Sequence, residues 1–221
     1  MFIMSKHAFS LASMEEWEQL SPQEKADIHR IHIGLDSQIC LKEEDGFAFI
    51  QSLGVSCPQL QTLAVNKEVS LELLESIELL SLSGLSVWMT ELPQRISMPT
   101  LRELTLFIDS AEPLMPLEAM AIQGESGENE DFTACSLLDG LTISHAHCFD
   151  LNSLVAAPTI QRLKIKDCVV SDLAPLTNLP LTDLTLSNCY LQDISMLEKI
   201  ESLQSLDLYD NAIETAVGLC A

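Results

Sequence analysis

The stretch that decides the fold is LTDLTLSNCYLQDISMLEKIESLQSLDLYDNAI, residues 181–213. Leucines recur in it with the spacing L-x-x-L-x-L, first from Leu181 and again from Leu203, 22 residues later. Apolar side chains at alternating positions predict a short β-strand with one buried face. A motif that returns at a fixed interval of this size predicts a protein built from stacked repeats.

The longer template L-x-x-L-x-L-x-x-N/C-x-L also fits two segments upstream of this stretch. They start at Leu138 and Ile160, so the four starts are separated by 22, 21 and 22 residues. Weaker matches start at Leu101, Ile77, Leu60 and Ile28. One unit cannot bury its leucines alone, so we predict an α/β solenoid of seven to eight units, in which parallel strands alternate with short helical or 3-10 return segments.

Two further positions recur within the units from residue 138 onward. They are Cys168, Cys189 and Asn211 at position 9, and Asp150, Asp172 and Asp193 in the second half of the unit. We expect the position-9 side chains to point inward and to bond backbone groups at the turn after each strand. The aspartates stand where a helical segment starts, so we expect them to accept amide hydrogen bonds there.

Residues 1–30 carry a different pattern, since Ser13 and Ser21 each open an S-x-x-E capping box. Two short helices are therefore predicted within 13–30, covering the edge of the first repeat. We predict a single domain made of this helical cap at 1–30 and a solenoid at 31–221. The solenoid contains an acidic insertion at 113–131, and its C-terminal edge, which lacks a polar cap, leaves self-association open.

The repeat stretch resembles the 22-residue class of leucine-rich repeats found in bacterial internalins and in eukaryotic phosphatase-regulatory proteins. The resemblance is close over 138–221 and looser over 60–112. It implies a horseshoe solenoid that binds a protein partner and has neither catalytic residues nor a cofactor of its own.

The composition narrows the class of partner. The 221 residues include 33 acidic and 11 basic ones, for a net charge of −22, and 47% are hydrophobic. Nucleic acids and anionic membranes are unsuitable partners, because both attract Lys and Arg. No Lys or Arg occurs from Glu103 to Gln161, where ten acidic residues do. We therefore expect an acidic flank that steers a basic protein ligand.

The cysteines and the apolar runs predict where the protein works. Its seven cysteines form no CxxC pair, which is typical of reduced thiols. The N-terminal residues do not have the pattern of a secretory signal, and no window is apolar for the roughly 18 residues that a membrane span needs. We expect a cytoplasmic, bacterial protein.

Eight side chains are predicted to lie on the concave face and to contact the partner. They are Phe107, His145, Arg162, Lys164, Lys166, Asp207, Tyr209 and Asp210. Tyrosine and arginine are frequent anchors at the centres of protein interfaces. The alternative is that Lys166, Asp207 and Asp183 form ordinary charge pairs across the strands.

We predict a non-catalytic protein-binding module, of the kind that inhibits or gives immunity to a basic partner. A secreted effector and a regulatory subunit of an enzyme such as a phosphatase are the alternatives. An enzyme or a metal site is more remote. It would use one of two histidine pairs, His29 with His32 or His145 with His147, but the H-E-x-x-H, G-x-S-x-G and Walker motifs do not occur.

Overall fold

The computed structural model describes residues 8–41, 44–90, 93, 96–109, 135–146 and 148–214. The predicted insertion at 113–131, the side chain of His147 and the C-terminal segment 215–221 lie outside these residues. The predictions about the insertion and the C-terminal edge stay predictions.

Nine strands of the described residues form one parallel sheet in chain order, so that each strand pairs with the next. They are β1 (Ala8–Leu11), β2 (Arg30–Ile33), β3 (Thr62–Glu68), β4 (Gly84–Met89), β5 (Glu103–Ile108), β6 (Gly140–Ser144), β7 (Arg162–Lys166), β8 (Asp183–Ser187) and β9 (Ser205–Asp207). Parallel strands that follow one another without a change of direction are the geometry of a solenoid. The predicted fold class is confirmed.

The core consists of two rows of apolar side chains that run across the whole sheet. The register stacks position 4 of the template in one row: Phe9, Ile31, Leu63, Leu85, Leu104, Leu141, Leu163, Leu184 and Leu206. All of these except Leu206, in the last described strand, are buried. Burying one such side chain stabilises the fold by about 1.5–3 kcal/mol, so the row is a large share of the folding free energy.

The return segments differ between the two halves of the chain. The N-terminal half uses α-helices, which are α1 (Met14–Gln19), α2 (Pro22–Ala26), α3 (Glu44–Ser56) and α4 (Leu71–Glu78). The C-terminal half uses the 3-10 helices η1 (Leu151–Ala156), η2 (Ala174–Asn178) and η3 (Ser195–Lys199). Units of 21 or 22 residues leave room after the strand and turn for only one or two tight helical turns.

The turn that follows each of the last four strands has a common backbone conformation. Template position 8 is left-handed in all four units, with φ of 63° at His145, 53° at Asp167, 51° at Asn188 and 59° at Asp210. Short polar side chains tolerate this conformation better than others do. The turn therefore explains why position 8 is polar in these units.

One predicted unit start is wrong. Ile77 lies in helix α4, buried with Leu73 and Leu74, and the strand of this unit begins at Gly84. The unit therefore starts at Leu82 rather than at Ile77. The physical reason is that apolar residues three positions apart occur both in the repeat template and on one face of a helix. The helical residues therefore matched the beginning of the template.

The N-terminus also differs from the prediction. Helices α1 and α2 do lie within 13–30, and Ser13 and Ser21 accept amide hydrogen bonds at their starts. However, β1 precedes them and pairs with β2, so the sheet begins within the predicted cap, and nine strands replace the seven or eight expected. The helices connect β1 to β2, and Trp17 of α1 packs edge-on against Phe9 of β1.

Candidate functional site

Strand alternation places template positions 3, 5 and 7 on the face of the sheet that points away from the core, which we call the concave face. Position 7 forms one continuous row in the middle of the molecule, because the register aligns Trp88, Phe107, Ser144, Lys166 and Ser187 on strands β4 to β8. This row contains two aromatic side chains, Trp88 and Phe107, and one lysine, Lys166, which Ser144 separates from Phe107.

Arg162, the first basic residue of β7, is already neutralised within the chain. Its guanidinium contacts the carboxylate of Glu103 on β5 and lies 2.8 Å from Oδ2 of Asp139. The pair with Glu103 crosses β6 at Gly140, where an added Cβ would come within 2.8 Å of the Glu103 carboxyl carbon. Arg162 thus pairs with two carboxylates. Gly140 has no side chain, which leaves the space in which Glu103 reaches across β6.

Lys164 and Lys166 lie on the same strand and face as Arg162, but their surroundings differ. Lys164 is exposed and Lys166 half-buried, and no acidic side chain of the described residues lies within salt-bridge distance of either. Their strand neighbours are Thr142 and Ser144 on β6 and Thr185 and Ser187 on β8, all small and uncharged. Two cations of a very acidic chain are therefore left on the concave face without a counter-charge from the described part.

Phe107 is 39% exposed on β5, and its strand neighbour on β4 is the half-buried Trp88. Trp88 is not among the predicted site residues, because a unit start at Ile77 puts Ser83 at position 7. With the correct start, Trp88 falls at position 7, the same position as Phe107. A stricter requirement for buried residues at positions 4 and 6, here Leu85 and Val87, would have found it.

The three predicted residues of the last unit lie apart from this pair. Tyr209 is 75% exposed just after β9, four strands along from Phe107, and its amide donates to Asp207 Oδ1 at 3.0 Å. Asp210 follows in the left-handed turn. These residues form a separate polar end of the concave face, so the structure does not bring Phe107 and Tyr209 together.

His145 lies at the turn after β6 rather than on the strand. Its Nδ1 is 3.3 Å from Oδ2 of Asp167, whose Oδ1 accepts a hydrogen bond from Asn188 Nδ2 at 2.8 Å. The three side chains occupy position 8 of successive units, so they form a polar ladder along the rim of the sheet. This arrangement accounts for His145 structurally, as a neighbour of Asp167.

The predicted position-9 residues lie inside the turns. Asn211 Oδ1 accepts from the amides of Cys189 and Leu191 at 2.9 and 3.2 Å, and its Nδ2 donates to the Leu186 and Leu208 carbonyls at 2.6 and 2.9 Å. Cys168 and Cys189 are buried, and burial raises the pKa of their thiols to about 12 and about 11. Thiols that stay protonated are poor nucleophiles.

The predicted capping aspartates all accept backbone amides in the return segments. Asp150 Oδ1 accepts from Asn152 at 2.9 Å, and Asp172 and Asp193 accept from Ala174 and Ser195 at 2.8 Å. Asp150 is the N-cap itself, whereas Asp172 and Asp193 stand one residue before it. The bond from the Ser195 amide, followed by one involving its side chain, lowers the pKa of Asp193.

A groove of about 1020 Å³ lies over strands β1 to β3. On its floor Ser10 Oγ is 3.5 Å from His32 Nδ1, and His32 Nε2 is 3.1 Å from Asn66 Nδ2. Among the residues that the structure describes, no three His, Cys, Asp or Glu side chains are grouped so that they could hold a metal ion. The helices of the same ranges include none with the length and apolar character to cross a membrane.

Comparison with known proteins places the fold. No protein-family model and no curated protein matches the chain. Among solved structures, an internalin (inlF) from Listeria monocytogenes aligns with a TM-score of 0.58 and 16% identity over 88% of this chain. The match spans 58% of the internalin chain. At this identity the likeness concerns the fold: the chain is a leucine-rich repeat solenoid with the architecture of an internalin.

Proposed function

We propose that the protein is a binding module that takes up a protein partner on its concave face. The observation that carries this proposal is the content of that face between β4 and β7, where Phe107, Trp88 and two lysines stand on a rigid sheet. None of these side chains belongs to the two core rows, so the fold does not require them. Aromatic side chains and cations on a preformed surface are the usual anchors of protein interfaces.

Site-specific crosslinking tests this proposal. A photoreactive benzoylphenylalanine is placed at Thr142 or Thr185 on the concave face, and at Val155 or Ser195 on the return segments as matched controls. After irradiation in a lysate of the source organism, we expect the same partner band from both concave positions and none from the controls. Crosslinks confined to the control positions, or no crosslink from the concave ones, would show that the partner binds elsewhere or that there is none.

A finer proposal is that the partner is basic and that the module inhibits it. The net charge of −22 supports this idea, since a strong negative field accelerates encounter with a cationic protein by 10-fold or more, in the range of about 10 to 10³. The acidic flank predicted from 103–161 rests mainly on residues outside the described part. Within it, Glu103 and Asp139 are engaged by Arg162, which leaves Asp109 and Asp150.

Association kinetics with the crosslinked partner test the finer proposal. We expect the association rate to fall about tenfold or more between low and high ionic strength. A rate that does not change with salt contradicts a basic partner. The identity of the partner then decides between an inhibited toxic enzyme, a phosphatase-like enzyme held by a regulatory subunit, and a host protein bound by an effector.

We also propose that the protein works in the cytoplasm. Supporting this, Cys40, Cys57, Cys168 and Cys189 are free thiols, as reducing compartments favour. Fractionation of the source organism, with detection by antibody, is the direct measurement, and recovery from the culture medium or the cell envelope would contradict the proposal.

A further inference from the structure

We infer that the concave face from β4 to β7 binds a partner segment that presents a carboxylate side chain close to an apolar one. The site, here called the aromatic–lysine strip, consists of Trp88, Phe107, Ser144, Lys164 and Lys166. This inference rests on the proposed function and narrows it, because it names the chemistry of the segment that the module would recognise.

The geometry of the strip follows from the register. Trp88, Phe107, Ser144 and Lys166 are neighbours in one row across four consecutive strands. Parallel strands are about 4.8 Å apart, so Phe107 and Lys166 are separated by about 10 Å at the backbone. Between them lies Ser144, a small residue that is only 4% exposed. We call the side of the strip with Trp88 and Phe107 the aromatic wall and the side with Lys164 and Lys166 the cationic wall.

The charge of the strip determines which ligand group fits the cationic wall. Lys164 and Lys166 project from alternate positions of one strand, about 7 Å apart, so they repel each other. Arg162 on the same strand has two acidic partners, which shows that this sheet can neutralise a cation when an acid is near. The described residues provide no such acid for the lysines, and a carboxylate from a partner supplies what is missing.

A partner that is basic overall is compatible with an acidic contact at this point. The field of the whole chain acts over long distances and favours positive net charge, while ions screen it beyond about 8 Å at physiological ionic strength. At contact distance the ammonium groups of Lys164 and Lys166 favour a carboxylate over a cation. Nucleic acid is disfavoured by the same long-range field, since phosphate chains would meet a chain of −22.

The apolar group belongs on the aromatic wall. Phe107 is 39% exposed. The rings of Phe9, Trp17 and Phe49, in contrast, are buried and pack together in the core at the N-terminal end. In a polyproline II segment, residues three positions apart lie on the same side and about 9 Å from each other. The separation of about 10 Å between the two walls therefore fits a segment of the form apolar-x-x-Asp/Glu.

Peptide arrays test the inference with defined probes. Three sets of surface-bound decapeptides share random flanks and differ in a fixed centre: Phe-x-x-Glu, Phe-x-x-Lys and Ser-x-x-Glu. We expect the folded chain to bind members of the first set and to bind the other two sets about tenfold more weakly or not at all. Equal binding to the Phe-x-x-Glu and Phe-x-x-Lys sets overturns the inference, and so does the absence of any Phe-x-x-Glu binder tighter than about 100 µM.

Variants then connect the binding to the strip. The best Phe-x-x-Glu peptide is titrated against Lys164→Ser/Lys166→Ser and against Phe107→Ser, and each is expected to lose affinity by about tenfold or more. Lys199→Ser removes an exposed lysine from η3 and Val155→Ser an exposed apolar side chain from η1, so both serve as matched controls with unchanged affinity. Circular dichroism confirms that each variant is folded, and affinity that survives in both strip variants overturns the assignment.

The outcome is separable from that of the proposed function. If the benzoylphenylalanine at Thr185 still captures the partner in the Lys164→Ser/Lys166→Ser variant with undiminished yield, the strip is wrong and concave-face binding stands. If neither concave position captures a partner in the wild-type chain, the proposed function itself fails, whatever the arrays show.

Discussion

Replacing Asn211 by alanine removes the side chain that connects the last two described units. Its amide group makes four short hydrogen bonds, of 2.6 to 3.2 Å: two are accepted from the amides of Cys189 and Leu191, and two are donated to carbonyls. A fifth and longer one, of 3.4 Å, is donated to the Tyr209 carbonyl. Because one side chain satisfies backbone groups on two turns, its removal leaves several polar groups without a partner at once.

The magnitude follows from these bonds. A protein hydrogen bond contributes about 1 kcal/mol net, which gives a maximum of about 4 kcal/mol for the four. Asn211 is half-buried, so water can reach part of the vacated site. We therefore expect a loss of about 2–3 kcal/mol, which corresponds to about 30- to 150-fold faster opening of the turn, at 1.4 kcal/mol per factor of ten.

Amide hydrogen exchange by NMR measures this locally, and urea unfolding measures it globally. The amides of Cys189 and Leu191 are expected to exchange faster by that factor in the Asn211→Ala variant, together with a lower urea midpoint. Local exchange is needed because solenoid units near an end can open without the others. Exchange rates within threefold of the wild type, about 0.6 kcal/mol, would refute the reasoning.

Two matched variants separate the causes. Asn211→Cys introduces the residue that the two preceding units have at position 9. There the thiols of Cys168 and Cys189 donate to backbone carbonyls. We expect it to recover part of the urea midpoint but not the slow exchange of the Leu191 amide, since a thiol does not replace Oδ1. Asn188→Gly keeps the left-handed turn and removes one part-buried side-chain hydrogen bond, so a loss of about 1 kcal/mol or less is expected.

Further predictions concern the core, the thiols and the concave ion pair. Leu184→Ala is expected to cost about 3 kcal/mol in urea unfolding, against less than about 0.5 kcal/mol for Thr185→Ala on the open face. Burial raises the thiol pKa of Cys168 to about 12 and of Cys189 to about 11, so the folded chain keeps protons that the unfolded chain releases. The free energy of unfolding is then unaffected below pH 9 and falls as pH rises from there, and urea titrations of a Cys168→Ala/Cys189→Ala variant should show a smaller fall. Gly140→Ala displaces the Glu103 carboxylate, which crosses β6 to reach Arg162. Loss of this exposed ion pair destabilises the fold by about 0.2–1 kcal/mol, whereas alanine stabilises it by about 0.4–1 kcal/mol because it reduces the freedom of the unfolded chain. The two effects offset each other, so the urea midpoint should hardly move.

The repeat period was enough to predict the C-terminal half. From residue 138 onward each unit is 21 or 22 residues long, and every predicted strand lies where the template puts it, two residues after the unit start. Leu163, Leu184 and Leu206 occupy consecutive places of one row, as expected. A short unit leaves the chain few alternatives, because strand, turn and return segment together use nearly all of its length.

In the N-terminal half the predicted starts at Ile28, Leu60 and Leu101 are also followed two residues later by a strand, but the start at Ile77 is wrong and β1 was not predicted. Its unit starts, which are Ile28, Leu60, Leu82 and Leu101, are followed by the next start after 32, 22, 19 and 37 residues. The units that start at Ile28 and Leu60 contain the α-helices α3 and α4, and the apolar spacing of three and four residues in a helix overlaps with the L-x-x-L of the template. Strand β1 has only the alternation of Phe9 and Leu11 to mark it, which is too short a pattern to distinguish a strand from a loop.

The candidate site was predicted only in part, for a physical reason that also bears on how it can be tested. Core rows are fixed by the requirement that every unit bury its leucines, whereas positions 3, 5 and 7 face outward and obey no such rule. Arg162 illustrates the difference. Its two acidic partners belong to other units, and a glycine on β6 leaves the space for one of them. The template specifies neither the acids nor the glycine. The same freedom means that Lys164 and Lys166 contribute little to folding. Replacing them should therefore change what the concave face binds while the core rows, and with them the stability, stay as they are.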